Sequence, residues 1–148
     1  MSQRTSFPTG MDQLMLGWTT GLFRWALATS FYVPNQNVDV YMSSVAPFEL
    51  LDGSYARVTA SGKTRNPVIV STPGYVVFDC DDPSFGIISG GELAQWLILF
   101  NQVTNDADST IVAALPVYYL ANGSDVATFI VNPVFGAVAV STACPGEF

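Results

Sequence analysis

Leu22-Phe23-Arg24-Trp25-Ala26-Leu27-Ala28-Thr29 is the stretch on which the fold class turns. Phe23, Trp25 and Leu27 alternate with Arg24, Ala26 and Ala28, a period of two. A helix would scatter the three large side chains around its circumference, whereas a strand sets them on one side. The stretch is therefore expected to be the first core strand, with one well-packed face.

On the N-terminal side the period changes. Met11, Leu14, Met15 and Trp18 fall at i, i+3, i+4 and i+7, which predicts a short helix started by Thr9 or Gly10 and stopped by Gly17 or Gly21. On the C-terminal side, Phe31 to Leu51 holds Pro34, Pro47 and the run Asn35-Gln36-Asn37, and reads as a long excursion. Within it Val38, Tyr41, Met42 and Val45 recur at helical spacing, so a turn or two of helix is expected. Asp52-Gly53 signals a turn, Tyr55 to Ala60 alternates as a strand does, and Lys63 to Pro67 reads as a polar break.

Strand signals crowd the second half. Tyr75 to Cys80, Ala94 to Phe100, Thr110 to Tyr119, Val126 to Val131 and Val134 to Val140 are β-branched or aromatic runs. They are separated by Asp81-Asp82-Pro83, Ser89-Gly90-Gly91, the 104–108 loop, Asn122-Gly123 and Asn132-Pro133. No helical pattern long enough for a βαβ crossover lies between them. The expectation is an all-β fold, an antiparallel sandwich or barrel of about seven or eight strands, with a short N-terminal helix and a long loop containing a helical turn. Pro116 should place its strand at an edge or at a bulge. Residues 1–148 read as one domain: an arm over 1–9, a β-rich core over 10–141 and a tail over 142–148.

Composition narrows the function. The chain is 49% hydrophobic and 11% charged, with net charge −7 and no histidine. Ordinary soluble domains carry roughly 25% charged residues, so apolar surface is expected to remain outside the fold, as on a subunit that rests against neighbours. A monomer with an unusually apolar core is the alternative. Five cations cannot cover a phosphate backbone, which excludes a dedicated nucleic-acid binder. The absence of histidine removes the commonest general base and metal ligand. Residues 1–9 carry no apolar block of the secretory kind, and the charge-free stretch from Val126 to Gly146 is interrupted by Asn132 and Pro133. Synthesis in the cytoplasm and no membrane span are expected.

Four constellations bear on chemistry. Asp79, Asp81 and Asp82, with Asp106 and Asp108, offer oxygens of the kind Ca²⁺ requires, but the 104–108 loop lacks the glycine and glutamate of a calcium loop. The plainer reading is a pair of turns whose aspartates cap backbone N–H groups. The same carboxylates, with Trp96 or Tyr75 to stack a sugar, sketch a glycosidase without the deep cleft that chemistry needs. Cys80 is flanked by aspartates that oppose a thiolate and reads as a packing residue; nothing activates Cys144. Asn122-Gly123-Ser124 reads as a hairpin turn. No catalytic, cofactor or metal residue is assigned. The candidates for protein contact are Phe31, Tyr32, Val33, Tyr41, Met42, Phe48 and Phe85, most of them in the excursion, since loops of that length usually serve a function.

The order of these features carries a resemblance. The short apolar helix leads into the Leu22 strand and Thr29-Ser30-Phe31-Tyr32-Val33-Pro34-Asn35, followed by Asp39-Val40-Tyr41 and Gly53-Ser54-Tyr55-Ala56-Arg57. Val77-Phe78-Asp79-Cys80-Asp81-Asp82-Pro83 and Ala94-Gln95-Trp96-Leu97-Ile98-Leu99-Phe100 come after them. Over about residues 10 to 141 this order resembles a family of small virion structural proteins of tailed bacteriophages. The Cys144-Pro145-Gly146-Glu147-Phe148 tail is not part of the match. The resemblance implies a non-enzymatic decoration or cement protein on the capsid exterior, with no cofactor. Its partners would be the major capsid protein and copies of itself, with a homotrimer as one arrangement. A tail, connector or fibre-base protein, and a carbohydrate- or host-binding module displayed on the virion, are the other roles such a domain fills. An acidic subunit is repelled by packaged DNA, which agrees with an outer position.

Overall fold

Large apolar residues alternating with Arg24, Ala26 and Ala28 make Phe23–Thr29 a strand whose two sides are shaped differently. The computed structural model describes residues 5, 6, 17–68, 75–131 and 135–139, with side chains described for 17–64 and 80–131. Among the described residues ten strands follow in chain order: β1 (Thr5–Ser6), β2 (Phe23–Thr29), β3 (Val58–Thr59), β4 (Thr64–Val68), β5 (Tyr75–Asp79), β6 (Ser84–Ile87), β7 (Leu93–Asn101), β8 (Thr110–Leu120), β9 (Val126–Thr128) and β10 (Phe135–Ala139). They form antiparallel sheets of order β1-β8-β7-β2-β3, β10-β5-β4 and β6-β9. The fold is all-β. The helix expected over Met11 to Trp18 lies outside the described residues except for its end, where Gly21 N–H donates to the Gly17 carbonyl at 2.7 Å.

The centre of the large sheet is a set of cross-strand rows. Trp25 faces Leu99, which faces Ala113; Leu27 faces Leu97, which faces Leu115. These rows belong to one buried cluster that extends to Phe85, Ile88 and Ala127, from the β6–β9 ribbon and its flanks. The intervening row, Ala26, Ile98 and Ala114, belongs to a second cluster with Tyr32, Met42, Val45, Phe100 and Ile111. β2 is thus buried on both sides, not on the single face its alternation implies. Small residues at 26 and 28 leave room for a covering layer on the second face.

That layer is the excursion. Its helical content is two 3₁₀ turns, Met42–Ser44 and Ala46–Phe48. One end is tied to the start of β8, where Met42 N–H donates to the Ser109 carbonyl and Ile111 N–H to the Val40 carbonyl, both at 2.9 Å. The other end reaches β2, where Ala28 bridges Glu49 and Leu50 N–H donates to the Leu27 carbonyl at 3.4 Å. Since β7 lies between β8 and β2 in the sheet, the excursion is a strap across the second face.

Bulges set which side each residue takes. Leu99 pairs Ala113 while Phe100 pairs Ile111, so Val112 is an extra residue on β8. Val112 and Ala113 therefore both enter the first cluster although they are adjacent. A second irregularity, between Ala94 and Trp96 on β7, falls beside Pro116, which meets the expectation of a bulge there.

Three expectations are corrected. Thr64 to Val68 is a strand, β4, paired with β5, and not a polar break. The ladder uses backbone groups that every residue but proline has, and β4 is the end strand of its sheet, where Pro67 can turn its missing N–H outward. Tyr55 to Ala60 supplies only two strand residues, because the Tyr55 hydroxyl takes the Leu27 N–H at 3.0 Å and occupies the edge β3 would have used. Asn122-Gly123 is a turn, with Gly123 at φ 79°, but it joins strands of different sheets and so closes no hairpin. β6 lies in a segment with no marked alternation and forms by pairing with β9.

Candidate interaction surface

Arg57 clamps the strap. Its Nε donates to Glu49 Oε2 at 3.1 Å and its Nη2 to Glu49 Oε1. On the other side Nη1 donates to Asp106 Oδ1 at 2.6 Å and Nη2 to Asp106 Oδ2 at 3.0 Å. The guanidinium lies 5.0 Å from the centre of the Phe100 ring, and the Tyr55 hydroxyl donates to Glu49. Bonding to Glu49 above all, then Asp106, raises the Arg57 pKa against the opposing effect of burial. Burial, reinforced by the Glu49 charge, raises that of Tyr55. At the other end of the strap, Tyr32 donates to Asp39 Oδ2 at 3.0 Å, and burial followed by Asp39 raises its pKa. Bidentate and stacked geometry of this kind holds a loop in one conformation.

With the strap held, its outer side chains present a fixed surface. Phe31 is 79% exposed and Leu51 82%. They line a groove of about 480 Å³ together with Pro47, Phe48, Leu93, Glu49 and Glu92. Leu93 pairs in register with Leu120, and Leu120 and Tyr118 of β8 are also exposed, so apolar surface continues along the sheet. An aromatic side chain offers roughly 150–250 Å², so Phe31 and Tyr118, at 79% and 75% exposure, leave roughly 300 Å² uncovered between them. Exposed apolar area of that order, where it is contiguous, is often functional.

The contact candidates divide. Phe31, Val33 and Tyr41 are exposed and Phe48 is partly buried at the groove. Tyr32, Met42 and Phe85 are buried and serve the core, so the expectation that Tyr32 and Phe85 would be exposed is corrected: Tyr32 and Met42 point inward under the strap, and Phe85 stacks 6.0 Å from Tyr55. Leu51, Leu93, Tyr118 and Leu120 were missed. The first looks like the end of a loop and the other three like ordinary strand apolars, and only strand order leaves Tyr118 and Leu120 exposed and Leu93 half-buried.

The aspartates go separate ways. Asp106 is on Arg57; Asp108 Oδ1 accepts the N–H groups of Thr104 and Asn105 at 2.9 and 2.8 Å, and those bonds lower its pKa. Asp81 accepts from the Ser61 hydroxyl and Asp82 from Val131 N–H at 3.0 Å, while the Asp79 side chain lies outside those described. Among the described residues no three acidic or cysteine side chains converge in a metal-holding group. Cys80 is buried in the first cluster, and Cys144 lies outside the described residues. Trp18 and Trp25 are core and Trp96 packs beside the second cluster. No helix among the described residues is long and apolar enough to cross a membrane.

No protein-family model, curated protein or solved structure matches this chain.

Proposed function

We propose that this chain is a non-enzymatic structural subunit that buries the Phe31–Leu51 face against a neighbouring protein in a large assembly. The carrying observation is that Phe31 and Leu51 stand exposed on a strap whose Tyr32, Met42 and Val45 are buried and whose arginine clamp is complete. A preorganised apolar face loses little entropy on docking. Glu49 on the strap and Asp106 on the 102–109 loop are both committed to Arg57 and so are poorly placed for acid–base work. The resemblance read from the sequence names the assembly: a tailed-phage particle, with the subunit as a decoration protein on the capsid exterior, contacting the major capsid protein and copies of itself. The architecture proposed with it is a β-sandwich, supported by the single cluster that joins the large sheet to the β6–β9 ribbon. Many copies on a lattice add avidity to a contact of modest area.

Quantitative mass spectrometry of purified particles tests the reading. A copy number that scales with capsid subunits is expected. A count matching one neck or tail ring would remove the capsid placement, and absence from particles would remove the virion role.

A further inference from the structure

Two of the five cations in this chain of net charge −7 line a single open cleft. It has a volume of about 640 Å³ and lies between the start of β2 and the 102–109 loop, and its lining shares no residue with the apolar groove. Arg24 and Arg57 enter it together with one carboxylate, that of Asp106, which has both oxygens on Arg57. Arg57 is also paired with Glu49, so its charge is compensated twice over, and Arg24 is the one lining charge without a carboxylate partner among the described residues.

Arg24 differs from Arg57 in its partners. Its Nη1 donates to Gln102 Oε1 at 2.8 Å and its Nη2 to the Arg57 carbonyl at 3.2 Å, both neutral acceptors. Among the described residues no carboxylate lies within ion-pair distance of it, and its buried Nε has no partner. Three of its five donor hydrogens are thus uncommitted. The neighbouring amides add to this surplus. Gln102 uses its oxygen on Arg24, and Asn105 uses its oxygen on Ala107 N–H at 2.9 Å. Each NH₂ group is therefore left as a donor without an acceptor among the described residues.

We propose that this cleft binds a carboxylate, with Arg24 as anchor and the Gln102 and Asn105 amides as flanking donors. A half-buried guanidinium whose positive charge lacks a counter-ion gains most from an anion that can accept two parallel N–H bonds, and a carboxylate has that fork. Donor hydrogens with no acceptor opposite them also favour an anion over a neutral ligand. The carboxylate is supplied either by a glutamate or aspartate of another polypeptide or by a small free acid. The inference does not depend on the assembly role proposed above.

The test is a titration of the ¹⁵N-labelled chain with hexaglutamate peptide, with succinate and with inorganic phosphate, at constant ionic strength, following the Arg24 Nε–H and the Gln102 and Asn105 amide signals. Saturable shifts of these signals with a carboxylate probe are expected. Binding by the peptide alone assigns the site to a polypeptide carboxylate, and equal binding of succinate assigns it to a free acid. Gln102→Glu puts a carboxylate beside Arg24 within the chain itself, without removing a core group, and should weaken binding at least roughly ten-fold; Asn105→Ala should weaken it to a lesser degree. Undiminished binding by Gln102→Glu, no saturable shift with either carboxylate, or tighter binding of phosphate would each overturn the proposal.

Discussion

Replacing Arg57 by methionine keeps much of the side chain's bulk over Phe100 and removes its charge. Four charge-assisted bonds disappear, two to Glu49 and two to Asp106. The two acids do not suffer equally. The Asp106 side chain is 37% exposed and is resolvated by water, so its half of the clamp contributes at most about 1 kcal/mol. The Glu49 side chain is 11% exposed and is left with one hydroxyl donor for a negative charge. Stranding a buried charge costs roughly 3–5 kcal/mol, and the residual exposure and the Tyr55 bond place this case at the low end, about 3 kcal/mol. For a domain of this size that corresponds to a fall in Tm of roughly 6–12 °C. Urea unfolding followed by tryptophan fluorescence reads it directly, since Trp25 is fully buried. A double-mutant cycle with Glu49→Gln separates the pair from other effects: the double variant should be more stable than the sum of the singles predicts, by about 2 kcal/mol. If Arg57→Met lies within about 0.5 kcal/mol of the parent, or the cycle is additive, the clamp does not hold the strap.

Three further outcomes are expected. Tyr55 and Tyr32 stay neutral when folded above the pH at which unfolded phenols ionise, about 10. Their contribution is therefore complete below that pH and lost above it, by about 1.4 kcal/mol per pH unit each; Tyr55→Phe should halve the slope of stability against pH on the alkaline limb, and an unchanged slope would show that Tyr55 does not titrate as described. Phe31→Ser combined with Leu51→Ser should move the unfolding midpoint by less than about 0.5 kcal/mol while abolishing association with the assembly; a large loss of stability would place the two residues in the core. Gly90→Ala should cost about 1–2 kcal/mol or more, because its φ of 100° is strained for an L side chain and a Cβ would meet that of Asp52 at 2.9 Å, whereas Gly53→Ala, with open space around it, should be near neutral in the same thermal melts.

Legibility followed the range of the interaction. β2, β7 and β8 were readable because their periodicity is written into a few consecutive residues, and the 3₁₀ turns because Met42 and Val45 sit three apart on one inward side. β4 and β6 were not, since a polar or glycine-containing segment becomes a strand only when a partner is there to pair with it. Exposure was harder still. Tyr32 and Phe31 are neighbours of similar character, yet one is 2% and the other 79% exposed, because the strap turns Tyr32 onto the second face of the sheet and Phe31 away from it.

Taken alone, the amino-acid sequence determined that this is an all-β chain, acidic, sparsely charged and rich in apolar residues, because composition and period are sums over local positions. Tertiary structure alone decided that the long excursion straps the second face of the sheet, that Arg57 finds two acids on opposite sides of it, and that Arg24 finds none among the described residues. Those facts depend on which segments, far apart in the chain, come to lie side by side, and no local pattern carries that information.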